Sequence, residues 1–291
     1  MPRTDSRSSP SDRPPGRGAS GRPPSRRPDT GRSADGRVET AGLFVYGRNP
    51  VREALRGRRK VSGLLLVAGA VGDELEQALA DWTAETPRPH PRVRRMAASE
   101  LTVMIGTGDH QGIAAEVEPY PYVDPEQIIR SHSLLIALDE VQDPQNLGAI
   151  IRTATAVGAG VVIPRHRAAE ITGAVVKASA GMTERAAVAR VRNLADFLTG
   201  AKAAGFWTYG ASGQADGDYT AQDYIYPSCF VMGSEGEGLG RRVESMCDVM
   251  VSIPLESGVE SLNVSVSAAV LLYEVVRQRG VKARSATETK P

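Results

Sequence analysis

The sequence predicts an α/β protein with a mainly parallel sheet, because short apolar stretches typical of buried strands alternate with helical patterns over residues 133–281. A smaller α/β unit is predicted over residues 41–118, and three prolines in residues 119–132 indicate a linker between the two units. Residues 1–40 differ from both in composition, and residues 282–291 are expected to fray. We therefore predict a basic arm, a small domain, a linker, a large domain and a tail, in that order.

The composition excludes several classes of protein. The chain has 291 residues, of which 41% are hydrophobic and 24% charged, as in an average globular protein. It contains no run of about 18 apolar residues, so we expect no membrane-spanning helix. Its two cysteines, Cys229 and Cys247, are too few for a disulfide framework or a four-cysteine zinc site, and we predict a cytoplasmic protein without a metal centre. The net charge of +1 does not by itself point to nucleic acid.

The first 40 residues are predicted to form a disordered basic arm. Gly, Pro and Ser account for 19 of them, and Leu, Ile, Phe, Tyr and Trp are absent, so the segment cannot bury enough apolar surface to offset its ordering entropy. Nine Arg against five acidic residues leave it with a charge of +4. Such a segment is either a solvated tail or a loose tether to RNA.

The small domain is predicted to bind RNA through two basic runs, unless these are ordinary solvated faces. Six basic residues against one acid lie between Arg48 and Lys60, and four Arg lie between Arg88 and Arg95. The residue pattern predicts strands over Leu43–Tyr46, Ser62–Val67, Arg92–Met96 and Ile113–Val117, and helices over Asn49–Arg56, Asp73–Ala84 and Ser99–Ile105, the last with Ser99 as its N-cap.

The large domain repeats strand and helix, and an open α/β sheet of this kind binds ligands in the loops at the carboxyl ends of its strands. The predicted strands are Leu134–Leu138, Gly160–Ile163, Phe206–Gly210, Cys229–Met232 and Val249–Ile253, and the predicted helices are Leu147–Val157, Ala168–Ser179, Asn193–Ala204 and Val264–Arg279, the last ended by Gly280. Three of the loops carry distinctive motifs.

The first motif follows the strand Leu134–Leu138 and contains the sequence DPQNLGAIIR over residues 143–152. Asn146 is a candidate N-cap for the next helix, and Arg152 lies almost two turns further along it. Taken alone, the two residues are more simply explained by an ordinary cap and a surface ion pair.

The second motif reads MGSEGEGL over residues 232–239 and overlaps the end of a predicted strand. Its glycines allow a ligand to approach the backbone, but its spacing is neither the dinucleotide-binding fingerprint nor a P-loop. The carboxylates of Glu235 and Glu237 would repel a pyrophosphate and suit a cationic or hydroxyl-bearing ligand. A glycine-rich turn without function is the alternative.

The third motif joins the last strand to the last helix, with IPL at residues 253–255 and SLNVSVSAA at residues 261–269. Ser261 and Asn263 immediately precede the helix, and either one alone is most simply explained as a cap.

Together, and in this order, the three motifs resemble those of the SpoU (TrmH-like) RNA 2′-O-methyltransferases of the SPOUT superfamily. The resemblance extends to the small domain, where YGRNPVREAL and HQGIAA are similar to that family's ribosomal-protein-like RNA-binding domain. It implies a SPOUT-type parallel sheet with a deep carboxyl-terminal trefoil knot, S-adenosylmethionine as cofactor, and a homodimer held largely by the last helix. The nearest resemblance is to the bacterial 23S rRNA guanosine 2′-O-methyltransferases, so 23S rRNA is the implied partner.

The same resemblance assigns roles to individual residues. The residues implied to line the S-adenosylmethionine pocket, largely through backbone groups, are Gly233, Ile253 and Leu262. The implied catalytic set consists of Asn146, Arg152, Glu235, Ser261 and Asn263. Within it, Arg152 is expected to hold a phosphate or ribose oxygen and stabilise developing negative charge, since arginine rarely loses its proton in a protein. The two asparagines are expected to orient the ribose, Glu235 to hold the ribose or the arginine, and Ser261 to support its loop.

Other functions stay open on the sequence alone. Enzymes that methylate tRNA riboses, or another rRNA site in antibiotic resistance, share the fold and the reaction. A non-catalytic ribosome-assembly protein is a further alternative, and the complete set of polar residues argues against it. A nicotinamide-dependent oxidoreductase is disfavoured because the dinucleotide fingerprint is missing.

Overall fold

The structure is a computed structural model that describes residues 43–69, 91–234 and 236–288, with side chains described up to residue 281. The predicted arm over residues 1–40 and the predicted helix Asp73–Ala84 lie outside the described residues. Within the described ranges, no helix is both long enough and apolar enough to span a membrane.

The small domain is built on a four-stranded sheet. Its elements are β1 (Leu43–Tyr46), α1 (Arg48–Arg56), β2 (Val61–Val67), β3 (Arg92–Met96), α2 (Ala98–Ile105) and β4 (Ile113–Val117). The strand order is β1-β4-β2-β3, in which β4 pairs antiparallel with β1 and β2, while β2 pairs parallel with β3. The four predicted strands are confirmed. The predicted N-cap Ser99 is wrong, because α2 begins one residue earlier and Ser99 lies in its first turn.

The predicted linker is more than a connection, because it contains the helix α3 (Pro125–Ser131). Asp124 caps this helix by accepting hydrogen bonds from two backbone N–H groups of the first turn, at 2.9 and 3.2 Å. Pro125 occupies the first helical position, where no N–H donor is needed. Ile128 is fully buried against the large sheet. One of the prolines that indicated a linker therefore marks the start of a helix, and this helix packs into the large domain.

The large domain contains a six-stranded sheet in which all strands run parallel. Its elements after α3 are β5 (Leu134–Leu138), α4 (Pro144–Ala156), β6 (Gly160–Pro164), α5 (Gly173–Ala178), β7 (Val188–Val191), α6 (Leu194–Ala203), β8 (Trp207–Ala211), β9 (Ser228–Met232), α7 (Arg241–Glu244), β10 (Val249–Val251) and α8 (Val264–Glu288). The strand order is β10-β8-β9-β5-β6-β7. The predicted α/β class with a parallel sheet is confirmed.

The large sheet is buried on both faces, as a parallel sheet requires. One face packs against α4 and α8 in a cluster that includes Ile150, Phe230 and Leu271. The other face packs against α3 and α6 in a cluster that includes Leu135 and Phe197. All five residues of the central strand β5 are buried, which explains why the sequence shows this strand as an uninterrupted apolar run.

The predicted helix Ala168–Ser179 is wrong over its first five residues. The N–H of Ala169 donates to the carbonyl of Val141 at 3.0 Å, and the N–H of Ile171 donates to the Tyr122 hydroxyl at 3.0 Å. Because these donors are satisfied outside any helix, the segment stays irregular and α5 begins only after it.

Further elements of the large domain differ from the prediction: α7 is not predicted, β10 ends at Val251 instead of the predicted Ile253, and β7 and the last helix differ as follows. The apolar pattern does not indicate β7, because Arg190 interrupts it, and the strand forms through its pairing with β6. The last helix does not end at Gly280 but continues to Glu288, into the segment predicted to fray. An isolated glycine within a helical pattern is tolerated at a modest cost in stability.

A buried ion pair between Arg59 and Glu184 fastens the small domain to the large one. Arg59 Nε donates to Glu184 Oε2 at 3.0 Å, Arg59 Nη2 contacts the other carboxylate oxygen, and the two side chains are only 4% and 1% exposed. Nearby, the Tyr120 hydroxyl lies 3.1 and 3.0 Å from the carbonyl oxygens of Thr183 and Ala186. Part of the first basic run therefore contacts protein, and Arg59 is neither a solvated residue nor available to RNA.

Replacing Glu184 with Ala is expected to lower the free energy of unfolding by about 3–5 kcal/mol, because the Arg59 guanidinium would stay buried without its partner. Urea unfolding followed by circular dichroism measures this change. The control, Glu126→Ala, removes an exposed partner of Arg130 at 3.2 Å and should cost less than about 1 kcal/mol. Equally small effects of both substitutions would contradict the fastening role of the buried pair.

Candidate active site

The first motif begins with a helix cap that is not Asn146. Asp143 is the N-cap of α4, and its carboxylate accepts a hydrogen bond from the N–H of Gln145 at 2.9 Å. Asn146 lies three residues later, inside the first turn, and is only 6% exposed. The predicted capping role of Asn146 is therefore wrong, because Asp143 fills that position.

The first and third motifs meet through their asparagines. Asn263 Nδ2 donates to Asn146 Oδ1 at 2.9 Å, across 117 positions of sequence. Asn263 also caps α8, because its Oδ1 accepts hydrogen bonds from the N–H and the hydroxyl of Ser265 at 2.9 and 2.6 Å. The capping role is thus confirmed for Asn263, whereas Ser261 lies exposed in the preceding loop.

The glycine loop, residues 233–240, closes on itself. Ser234 and Gly238 exchange two backbone hydrogen bonds of 3.0 and 3.1 Å. Gly233 packs so tightly against this turn that a Cβ atom on it would lie 2.1 Å from the carbonyl carbon of Gly238. Only glycine fits at this position of the second motif. Glu235 lies outside the described residues, so its role stays a prediction.

Asp139, which the sequence motifs do not single out, ties the glycine loop to the end of β5. Its Oδ2 accepts a hydrogen bond from the N–H of Gly240 at 2.9 Å, and its own N–H donates to the carbonyl of Met232 at 2.7 Å. Burial raises the pKa of the Asp139 carboxyl, the Gly240 bond opposes that shift, and the charge of Glu140 adds to it. Asp139 could be identified from the sequence because it is an acidic residue directly after an apolar strand, at the ligand-binding end of the sheet.

A cleft of about 1030 Å³ opens where β8, β9 and β10 end. The three predicted cofactor residues, Gly233, Ile253 and Leu262, all line it, together with Ser261 and Asn263. Its volume is close to the upper end, roughly 1,000 Å³, of the range for small-molecule sites. The structure therefore brings the second and third motifs together around one space.

Carboxylates determine the electrostatic character of this cleft. Glu237, Glu244 and Glu260 line it, and none of its described lining residues is Lys or Arg. Its walls also include the apolar side chains of Leu255 and Leu262. Such a cleft disfavours phosphate groups and favours a ligand that combines positive charge with an apolar part.

A smaller cavity of about 330 Å³ adjoins the cleft. Asp143 and Asn146 line it from the first motif, while Ser234 and Glu237 border both spaces. Because Asn146 faces the small cavity and its partner Asn263 faces the cleft, the hydrogen bond between them lies where ligands in the two spaces would meet.

Arg152 is not brought to this site within one chain. It is exposed on α4, about 9 Å along the helix axis from Asn146, and it lines neither the cleft nor the small cavity. The predicted catalytic set is thus assembled only in part, with Asn146, Ser261 and Asn263 around the two spaces and Arg152 apart from them.

The two cysteines are not activated as nucleophiles. Burial raises the pKa of the Cys229 thiol far above its usual range and that of Cys247 to about 12, so both thiols stay protonated at neutral pH. Within the described parts of the chain, no group of three or more His, Cys, Asp or Glu side chains is placed to hold a metal ion.

Two family models match the two domains of this chain. The model of the SpoU rRNA Methylase family matches residues 133–273. A model described as RNA 2′-O ribose methyltransferase substrate binding matches residues 44–123. The first match spans all three motifs, and the second spans most of the described small domain.

Known proteins resemble this chain over most of its length. It is 40% identical over 245 residues to the Bacillus subtilis (strain 168) protein YacO. The name of YacO places that protein in the TrmH family of tRNA/rRNA methyltransferases. The match covers 81% of this chain and 96% of YacO. The crystal structure of the SpoU methyltransferase AviRb from Streptomyces viridochromogenes, in complex with AdoMet, matches with a TM-score of 0.69 and 27% identity, over 85% of this chain and 94% of AviRb. An AdoMet-bound rRNA methyltransferase from Sinorhizobium meliloti matches with a TM-score of 0.68 and 26% identity, over 82% of this chain and 88% of that one.

A methyl group on Gly233 is expected to open the glycine loop, because it would overlap the backbone of Gly238. Gly233→Ala should raise the amide hydrogen–deuterium exchange of residues 233–240 by about tenfold or more. Gly213→Ala is the matched control, since Gly213 lines the same cleft and a Cβ atom there meets its nearest neighbour, the Glu260 carbonyl oxygen, at an ordinary 3.6 Å. Unchanged exchange in Gly233→Ala would show that this close packing does not shape the loop.

Proposed function

Because the chain belongs to the SpoU rRNA methylase family, we propose that it transfers the methyl group of S-adenosylmethionine to a ribose 2′-oxygen of RNA. The observation that carries this proposal is the acidic cleft at which the loops of the second and third motifs meet. The small domain, which matches the substrate-binding model, is proposed to bind the RNA. The cytoplasm is the proposed place of action.

The cleft suits S-adenosylmethionine in charge and in volume. Its three glutamates complement the positive charges of the sulfonium and the amino group, and no Lys or Arg stands among its described lining residues. The close-packed glycine loop is proposed to present main-chain groups to a flat adenine ring, and the apolar lining residues Leu255 and Leu262 to cover the ring. The residues proposed to hold the cofactor are Gly233, Ile253 and Leu262.

When bound, S-adenosylmethionine supplies a methyl group that is activated by a positively charged sulfur. The protein's residues then have to orient the ribose hydroxyl and assist the loss of its proton. Asn146 and Asn263 are proposed to hold the ribose at the border of the two spaces, since their 2.9 Å hydrogen bond orients both amides there. Ser261 is proposed to support its loop, and Glu235 to hold the ribose or an arginine.

Arg152 is proposed to act in the active site of the partner subunit of a homodimer. Within its own chain it is exposed and borders neither space, and we propose that a second copy brings it to the reacting atoms. A guanidinium there binds a phosphate or stabilises negative charge on the 2′-oxygen, and it is not the base because arginine stays protonated. In a twofold dimer each subunit can give this side chain to the other.

The proposed dimer contact is α8. Val266, Tyr273 and Val276 are exposed large apolar side chains that recur at helical spacing along it. An apolar stripe of this kind on a helix surface marks an interaction site. Because the cap of α8, Asn263, lines the cleft, pairing through this helix would place the partner subunit beside the active site.

The carboxyl-terminal half is proposed to form a deep trefoil knot. Support comes from the convergence of the segments after β8, β9 and β10 on one cleft, with the start of α8 in the same place. The resemblance to the SpoU family likewise implies a knot in this part of the chain.

The proposed substrate is a guanosine of 23S rRNA. The Sinorhizobium meliloti neighbour is named an rRNA methyltransferase, whereas the name of YacO covers both tRNA and rRNA. A tRNA ribose and an rRNA site linked to antibiotic resistance are therefore the alternatives. The exposed arginines Arg92 and Arg94 of β3 provide positive charge for contact with an RNA backbone of either kind.

Arg152→Ala is expected to lower the rate of methyl transfer to RNA by about 10²–10³-fold, because a preorganised charge that stabilises the 2′-oxygen is lost. Calorimetry should find the affinity for S-adenosylmethionine unchanged. The control is Arg130→Ala, which removes another exposed arginine that lies on α3 and pairs with Glu126. Unchanged turnover in Arg152→Ala would contradict the catalytic role.

A mixed dimer tests whether the site is shared between subunits. Asn146→Ala and Arg152→Ala chains, each inactive as a homodimer, are co-expressed with different tags and purified as the heterodimer. One of its two sites then combines an intact Asn146 with the intact Arg152 of the other chain, so about half of the wild-type activity should return. No recovery would show that both residues act within one chain.

A further inference from the structure

We propose that Asp139 is a positioning residue that holds the glycine loop in the conformation that accepts S-adenosylmethionine, an inference that rests on the function proposed above. Asp139 contacts both ends of this loop. Its N–H donates to the carbonyl of Met232, the residue before the loop, at 2.7 Å. Its Oδ2 accepts from the N–H of Gly240, the last loop residue, at 2.9 Å. One residue, 101 positions away from Gly240 in sequence, therefore fixes the distance between the two ends.

A change in the distance between the two ends of the glycine loop would change the position of the residues between them. Between its ends, the described residues of the loop are held by the Ser234–Gly238 hydrogen bonds and by the tight packing of Gly233, which restricts their adjustment to a shift. Residues of the loop line both the cleft and the small cavity. A displacement of Gly240 would therefore move Leu239, the neighbouring residue in the wall of the cleft.

The chain turns immediately after Asp139, and a side-chain contact supports this turn. Glu140, the next residue, has a φ of +60°, a left-handed conformation that few non-glycine residues adopt. This conformation turns the chain immediately after β5, and Glu140 itself borders the small cavity. Arg167 Nη1 contacts Glu140 Oε1 at 3.1 Å and helps to hold the turn. The carboxylate of Asp139 is half-buried, so its bond to Gly240 is partly shielded from water.

Two substitutions of Asp139 distinguish an anchoring role of its side chain from an effect of its negative charge on the cofactor. Asp139→Asn keeps an oxygen that can accept the Gly240 N–H, whereas Asp139→Ala removes the acceptor. If the anchor matters, the alanine variant should weaken S-adenosylmethionine binding at least about tenfold, and the asparagine variant should stay within about threefold of wild type. If only negative charge matters, both variants should lose affinity equally, which would overturn the proposal.

The experiment measures three quantities on the full-length protein. Calorimetry gives the affinity for S-adenosylmethionine and for S-adenosylhomocysteine, exchange mass spectrometry gives the protection of residues 233–240 in the ligand-free protein, and kinetics gives KM for S-adenosylmethionine and kcat. For Asp139→Ala we expect lower affinity, a higher KM, faster loop exchange and a kcat within about threefold of wild type. Asp196→Ala is the matched control, because that carboxylate also contacts the segment after the loop, through Arg242 at 3.2 Å, but on the exposed surface.

The outcomes distinguish this inference from the proposed function. Asp139→Ala with wild-type affinity and wild-type loop exchange would overturn the anchoring role while leaving the proposed function intact. A lower melting temperature with unchanged affinity and KM would likewise overturn it, since it would indicate a merely structural residue. A wild-type protein that does not bind S-adenosylmethionine would instead contradict the proposed function, and loop exchange in the ligand-free protein would still decide the anchoring role.

Discussion

The common direction of the six strands in the large sheet is the constraint on which the site depends. Because all strands are parallel, the loops after β5, β8, β9 and β10 emerge at one edge, although long stretches of sequence separate them. The hydrogen bond between Asn146 and Asn263 and the bond between Asp139 and Gly240 both cross this edge. The buried cores on the two faces of the sheet hold the strands in register and so determine the geometry of these contacts.

The charges of the arm, the cleft and the small domain agree with the ligand proposed for each of them. A net charge of +1 hides an amino-terminal arm of +4 and a cleft whose described lining includes three glutamates and neither Lys nor Arg. An acidic cleft can hold a cationic cofactor, while the exposed arginines of β3 can contact an RNA backbone. The first basic run is divided, because Arg59 is buried against Glu184 and fastens the two domains together, whereas Lys60 next to it is exposed.

Local patterns predicted the features of the fold that depend on local physics. The strand Leu134–Leu138 is correct to the residue because each of its side chains is buried, and Asn263 caps a helix as its position indicated. Features that depend on distant partners were not predictable in this way. The burial of Arg59 requires Glu184, 125 positions away, and no local pattern contains that information. The cap of α4 was misassigned because Asp143, also a good capping residue, stands three positions before the predicted one.

The proposed reaction is tested most directly by measuring where in the RNA the transferred methyl group is found. Purified protein is incubated with deproteinised 23S rRNA, or with tRNA, and with methyl-labelled S-adenosylmethionine, and the RNA is digested to nucleosides for mass spectrometry. For the proposed substrate, we expect label in 2′-O-methylguanosine from a single position of 23S rRNA. Label on the ribose of tRNA would support the proposed reaction but would identify tRNA as the substrate. Label on a base, or no transfer to either RNA by a protein that binds the cofactor, would contradict the proposed 2′-O-methylation of RNA.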